Sequence, residues 1–253
     1  MKNWKMLCSV ALLAQSQPLW AADVAALLQW SQRVELSSPV SGVVQAVQVD
    51  VGDQVKKGQT LLSLDSTTYQ AKVAENRAAM SRYSEEMAEA KRDLARTNEL
   101  QERGVIASVE LDQTKLRHTR AQSLLAEAQA RLKRSQKELD ESVVRAPFDA
   151  VVVARQVEPG QTVAARLQPQ TLLVLARSGE MLARARLSEA QINSLKVGQA
   201  VTVVVGNQHY AGKIKALGLE PTNEKPESIY PVDVIFTPKE QLRAGMAATL
   251  KLP

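Results

Sequence analysis

Residues 37–65 read SSPVSGVVQAVQVDVGDQVKKGQTLLSLD, and residues 145–163 read RAPFDAVVVARQVEPGQTV. The second stretch repeats the first. Pro39 and Gly52 stand thirteen residues apart, as do Pro147 and Gly160, and Val55 and Val163 each follow their glycine by three. Leu61-Leu62-Ser63-Leu64 is answered by Leu172-Leu173-Val174-Leu175 after three extra residues. Val47, Val49 and Val51 alternate with Gln48 and Asp50, the period-two pattern of a half-buried strand. Gly52-Asp53 and Lys57-Gly58 are turn signals. Two strand-rich halves of one kind, residues 36–68 and 143–177, thus flank a middle of different character. Residues 69–142 hold no proline and a single glycine.

That middle carries two ladders of seven-residue spacing. The first is Val73, Met80, Met87 and Leu94, with Tyr83, Ala90 and Thr97 at the second seam position. The other is Leu111, His118, Leu125, Leu132 and Leu139, with Thr114, Ala121, Ala128, Ser135 and Ser142 beside it. A strict heptad keeps one apolar seam facing one partner helix. Gly104 falls between the ladders, where a glycine just past a helix end is expected. Asp65 and Ser66 suit the start of the first helix, and Ser108, with Glu110 and Asp112 following, suits the second. The reading is an antiparallel coiled-coil hairpin turning near residues 103–107, each arm about 50 Å long at 1.5 Å per residue. Methionines on such a seam are core filler, and His118 is a tolerated histidine at its edge.

After Arg177 the pattern returns to short strands. Residues 181–187 alternate, residues 188–195 open as a capping-box helix, and strands follow over 201–205, 212–217, 230–236 and 247–252. Residues 178–253 read as a small antiparallel β-barrel whose first strand is supplied by residues 23–35. Residues 1–22 read as a secretory signal. Lys2 and Lys5 precede a short apolar run over 6–14, polar residues end it, and Ala21 or Ala22 offers a cleavage point. The apolar run is far shorter than the roughly 20 residues a membrane span needs.

Composition removes several functions. The formal net charge is +5, with 32 basic and 27 acidic residues. Without Lys2 and Lys5 the excess is small, and the signs are interleaved, unlike the basic patch of a nucleic-acid binder. Aromatics make up 4 % of the chain, too few for a stacking platform. The one cysteine, Cys8, lies in the signal, and the two histidines, His118 and His209, stand far apart. Neither catalytic residues, a metal-ligand cluster nor a phosphate-cradling loop is legible. The expectation is a non-enzyme without cofactor or metal.

The two β halves together resemble the biotinyl/lipoyl-carrier fold. Carriers place a modified lysine at the hairpin between the halves. Here that place is Asp65-Ser66-Thr67, with no lysine, and it opens into the helical insert. The full order is signal, strand, half-module, helical hairpin, half-module, barrel. Its signature stretches are the two quoted above, LSEAQINSLKVGQAVTVVV at 187–205 and LRAGM at 242–246. In this order they resemble the periplasmic adaptor, or membrane fusion protein, family (HlyD/AcrA-like) of RND-type efflux pumps. The resemblance implies a periplasmic protein held at the inner membrane through its transporter. It implies a trimeric or hexameric homo-oligomer bridging an inner-membrane RND transporter to a TolC-like outer-membrane channel. An adaptor of an ABC-type exporter or of a metal-efflux system is the alternative. A family motif at the hairpin tip has an arginine, a leucine four later and a serine seven after that. Arg96 and Leu100 match it, the serine position holds Ala107, and Ser108 stands one beyond. With Gly104 in the turn, these five residues are the expected channel-binding tip. Many relatives continue into a membrane-proximal domain after the barrel. The chain here stops at Pro253, which leaves the barrel as the expected transporter-facing surface.

Overall fold

The computed structural model describes residues 22–165, 170–222 and 228–252; the expected signal lies almost wholly outside them. The chain divides into two compact units, one from Gln32 to Ser178 and one comprising the residues before and after it.

The central unit explains the sequence repeat. One sheet runs β2(Arg33–Leu36), β9(Leu173–Arg177), β7(Ala150–Arg155), β4(Gln54–Val55). The other runs β6(Val143–Arg145), β5(Thr60–Leu64), β3(Gly42–Val47), β8(Thr162–Val163). The orders superimpose when each strand of one half is replaced by its repeat in the other. The two short strands are exchanged: β4 of the first half pairs with β7 of the second, and β8 of the second pairs with β3 of the first. Equivalent residues do equivalent work. Val44 and Val152, Val55 and Val163, and Leu61 and Leu172 all lie in one buried cluster. At the position after the Pro-x pair, Asp149 Oδ1 accepts the Lys57 N–H at 2.8 Å, and Ser41 Oγ accepts the Ala165 N–H at 3.0 Å. Asp149 also meets Lys56 Nζ at 3.2 Å. These bonds hold its carboxyl below the ordinary carboxylate range, the Lys57 N–H contributing most.

Between β5 and β6 the chain makes two long helices, α1(Thr67–Glu102) and α2(Ser108–Glu141), packed on each other. The Asp65 carboxylate accepts the Thr67 N–H and hydroxyl, which anchors the first turn and lowers the Asp65 pKa. The Leu64 N–H donates to the Ser142 carbonyl, so the two feet of the hairpin are tied by backbone. The expected ladders are buried unequally. On α2 the buried row is Leu111, Thr114, Ala121, Ala128 and Ser135, while Leu125, Leu132 and Leu139 are half-buried. On α1 only Val73 and Asn76 are buried. The small residues of α2 are thus buried more deeply than its leucines at 125, 132 and 139. Asn76, at the second seam position one heptad before Tyr83, was not expected there.

The other unit is a closed antiparallel barrel in the order β1(Ala22–Trp30), β10(Met181–Ser188), β13(Ile229–Phe236), β12(Gln208–Leu217), β11(Ala200–Val205), β14(Ala247–Leu252). The expected first strand over 23–35 is corrected: β1 ends at Trp30, and residues 33–36 form β2 and pair with β9 in the central unit. The alternation of Met181, Ala183, Ala185 and Leu187 places them in the barrel core with Leu28, Val203, Ile214, Val234 and Leu250. Arg184 points outward and grips Asp233 on β13 with two bonds, of 2.7 and 2.8 Å. The helix expected over 188–195 is shorter, α3(Glu189–Ile192), with Gln191 Oε1 accepting the Ser188 N–H.

Candidate functional site

The hairpin tip is built by a helix stop and a helix start with five residues, 103–107, between them. α1 stops because Gly104 adopts φ +73°. The Gly104 N–H then bonds the Gln101 carbonyl at 2.9 Å, and the Val105 N–H reaches back to the Leu100 carbonyl at 2.9 Å. This is the Schellman arrangement, which satisfies carbonyls that the helix end would leave open. α2 starts after Ala107, whose ψ of 151° is extended and whose carbonyl takes the Glu110 N–H. The cap is therefore Ala107, and no side chain caps this end. Ser108, expected as the cap, is the first helical residue, because its backbone has already turned helical.

The five expected tip residues all lie in the last turns of α1, the loop or the first turn of α2. Arg96 is exposed, with Asp93 at 3.8 Å, the outer limit of an ion pair. Leu100, one turn on, is half-buried. Gly104, Ala107 and Ser108 are exposed. Three further apolar side chains were missed. Val105 and Val109 are 66 % and 64 % exposed, and Leu116 on α2 is 70 % exposed. The signal was present in the sequence: Val105 follows a helix-stopping glycine, and Val109 and Leu116 fall outside the heptad ladder while sharing seven-residue spacing. Exposed valines and a leucine at the end of a long two-helix arm have no core of their own, which is the composition of a docking surface. No group of metal-ligating side chains and no helix long and apolar enough to cross a membrane occurs among the described residues.

The model of the CzcB-like barrel-sandwich hybrid domain matches residues 32–176. This is the central unit almost end to end, with its exchanged strands and helical insert. The chain belongs to the membrane fusion protein family of periplasmic efflux adaptors. Among curated proteins it is 29 % identical over 241 residues to the macrolide export protein MacA of Yersinia pestis, covering 87 % of this chain and 64 % of that protein. It is 30 % identical over 207 residues to the pyoverdine export membrane fusion protein PvdR of Pseudomonas aeruginosa, covering 75 % and 53 %. The chain thus spans less than two thirds of these relatives' length. Among solved structures, the membrane fusion protein Spr0693 of Streptococcus pneumoniae superimposes with a TM-score of 0.72 at 20 % identity, covering 92 % of this chain and 98 % of that one. That likeness establishes the shared fold. The family consists of non-enzymatic adaptors of efflux pumps.

Proposed function

We propose that this adaptor is the periplasmic subunit of a tripartite pump. It bridges an inner-membrane RND transporter to a TolC-like outer-membrane channel and exports drugs or other small molecules. The chain works as a homo-oligomer, needs no cofactor, and performs no chemistry of its own. The observation that carries the reading is the exposed apolar tip, Val105 and Val109 with Leu100 behind them, at the end of helices of 36 and 34 residues in a chain of this family. At 1.5 Å per residue such an arm reaches about 50 Å, far more than a carrier domain needs to present one side chain. Arg96 supplies a donor fork suited to a carboxylate or carbonyl on the channel. MacA and PvdR are named for export of a macrolide and of pyoverdine, which supports a small-molecule cargo.

The test uses a strain whose resistance depends on the pump. Arg96→Asp and Val109→Asp are expected to abolish resistance and capture of the channel, while protein level and helicity stay unchanged. Ser108→Ala is expected to be silent, since Ser108 caps nothing. Full resistance in both aspartate variants would show that this end does not meet the channel. Purification of the tagged chain from membranes identifies the transporter. Recovery of an ABC protein in place of an RND protein would replace the transporter class and leave the bridging role.

A further inference from the structure

The barrel carries a groove on its outer face. Along β1 the side chains alternate, so that Ala26 and Leu28 enter the core while Ala25, Leu27 and Gln29 turn outward. Ala25, and Ala247 beside it on β14, are small and exposed. Leu27 between them is 56 % exposed, a large apolar side chain with no core to cover it. With Arg184 and Arg186 of β10 these residues line a hollow of about 520 Å3, within the roughly 300–1,000 Å3 usual for small-molecule sites. Its lining reaches from Val24 to Gln29, a length of about 17 Å at 3.4 Å per strand residue.

The groove lies where a ladder stops. β1 is paired with β14 from Ala22 to Leu27. Its pairing with β10 covers only Ala26 to Trp30, opposite Ala185 to Met181. β10 runs on to Ser188 with β13 on its other side. Residues 22–25 and 186–188 are thus left without ladder partners on the edges they turn toward each other, and such edges present N–H donors. The two cations of the wall are unlike. Arg184 is held by both carboxylate oxygens of Asp233, at 2.7 and 2.8 Å. Arg186 is exposed and makes no ion pair among the described residues. No carboxylate is among the lining residues. Asp23, just beyond the lining, stands opposite Lys251 in the β1–β14 register.

We propose that this groove binds a single-chain amphipathic carboxylate, of the class of long-chain fatty acids. The carboxylate meets the Arg186 guanidinium, whose planar fork matches its two oxygens, and takes N–H groups from the unpaired edges. The alkyl chain lies over Ala25, Leu27 and Ala247 toward Gln29 and removes their apolar surface from water. Charge and pairing select this occupant over an added peptide strand. A strand needs a row of backbone partners, yet Ala26 and Leu27, in the middle of the groove, are already paired on both sides. The site goes beyond the bridging role, which requires no ligand on the barrel.

The test is calorimetric titration of the full chain with decanoate, dodecanoate and tetradecanoate, each below the concentration at which it forms micelles, and with dodecanol as the uncharged control. Saturable binding of one dodecanoate per chain is expected, tightening about two- to fourfold with each methylene added. Arg186→Gln is expected to weaken dodecanoate about tenfold and to leave dodecanol unchanged. Ala25→Trp fills the groove from an exposed strand position that suits an aromatic residue, and should remove both ligands while the melting temperature stays unchanged. Absence of saturable dodecanoate binding would overturn the proposal. Unaltered binding in Ala25→Trp would place the ligand elsewhere and overturn it equally, and an Arg186→Gln variant that holds dodecanoate as tightly as the parent would overturn the role of the cation. If the chain binds no dodecanoate and Ala25→Trp instead loses capture of the transporter, the groove is a protein-docking surface and the amphiphile site is refuted, with the bridging role left standing.

Discussion

Gly104 offers a sharp probe of how the tip is held. A Cβ built there has nothing within 4 Å, so a larger residue meets no steric wall, and its whole penalty comes from φ +73°. For an alanine the left-handed region costs about 1–2 kcal/mol. The penalty does not have to be met by the whole molecule. The last turn of α1 can fray, releasing the bonds from the Gly104 and Val105 N–H groups to the Gln101 and Leu100 carbonyls. Gly104→Ala is therefore expected to leave the global melting temperature nearly unchanged and to speed hydrogen exchange at the Val105 amide by about 5–30-fold, taking 1.4 kcal/mol as tenfold. Gly104→Asn should exchange more slowly than Gly104→Ala, because asparagine enters this region at lower cost. Channel capture should follow the same order, as Val105 must be presented by an intact turn. Equal exchange rates in all three proteins would refute the argument. So would a large fall in melting temperature, which would mean that the tip is coupled to the rest of the fold.

Three further outcomes follow from contacts already described. Ala128, 3 % exposed in the buried row of α2, should tolerate enlargement badly. Ala128→Leu is expected to destabilise by about 1–3 kcal/mol, and Leu132→Ala, on the half-buried rim, by less; denaturant midpoints monitored by helicity give the order. Asp233→Ala removes both bonds from Arg184 across β10 and β13. A loss of about 1 kcal/mol is expected for this surface pair, read as a fall in melting temperature of a few degrees. The Asp149 carboxyl is held low in the folded state, first by the Lys57 N–H. Its contribution is full above the unfolded value near 4 and is lost as pH falls through the lower folded value. Asp149→Asn should therefore lessen the decline in stability between about pH 5 and 3. An unchanged acid profile would count against this role.

The repeat was legible because turns and buried strands leave marks in local sequence: the thirteen-residue spacing, the glycines, the Leu-Leu pairs. What the repeat does was not legible. The exchange of β4 and β8 joins residues about a hundred positions apart, and two-residue strands have no period. The barrel strands were readable wherever one face is buried, as in Met181, Ala183, Ala185 and Leu187. The handover at Ser31 was hidden because β1 and β2 share the same alternating pattern on either side of it. On the hairpin, heptad spacing located the seam and its register, with Thr114, Ala121, Ala128 and Ser135 on it, but spacing alone did not show that these small residues would be buried more deeply than the leucines beside them. The position of the tip was set by Gly104. Its character came from Val105, Val109 and Leu116, whose exposure depends on which helical face is left over once the seam is chosen. The shift of the cap from Ser108 to Ala107 followed from backbone angles that no single residue type dictates.

The order of elements has a consequence for how the chain comes into being. The barrel is closed by strands from its first and last parts, β1 and β14. The central unit is inserted between β1 and β10, and the helices between β5 and β6. Each element is thus enclosed by the next, like brackets within brackets. As the polypeptide emerges, β3 to β5 must wait for β7 to β9, and β1 must wait for nearly the entire remainder. The helices alone can complete themselves from contiguous residues. Once they have paired, the feet at Leu64 and Ser142 lie side by side, so the intervening 77 residues no longer act as a floppy loop whose ends must find each other. The same holds one level out, where the finished inner unit brings Gln32 and Arg177 together, bonded at 2.9 Å. Assembly from the innermost bracket outward turns long-range pairings into local ones. It also makes the arm an independently replaceable length of chain, open to lengthening by whole heptads without disturbing any pairing outside it.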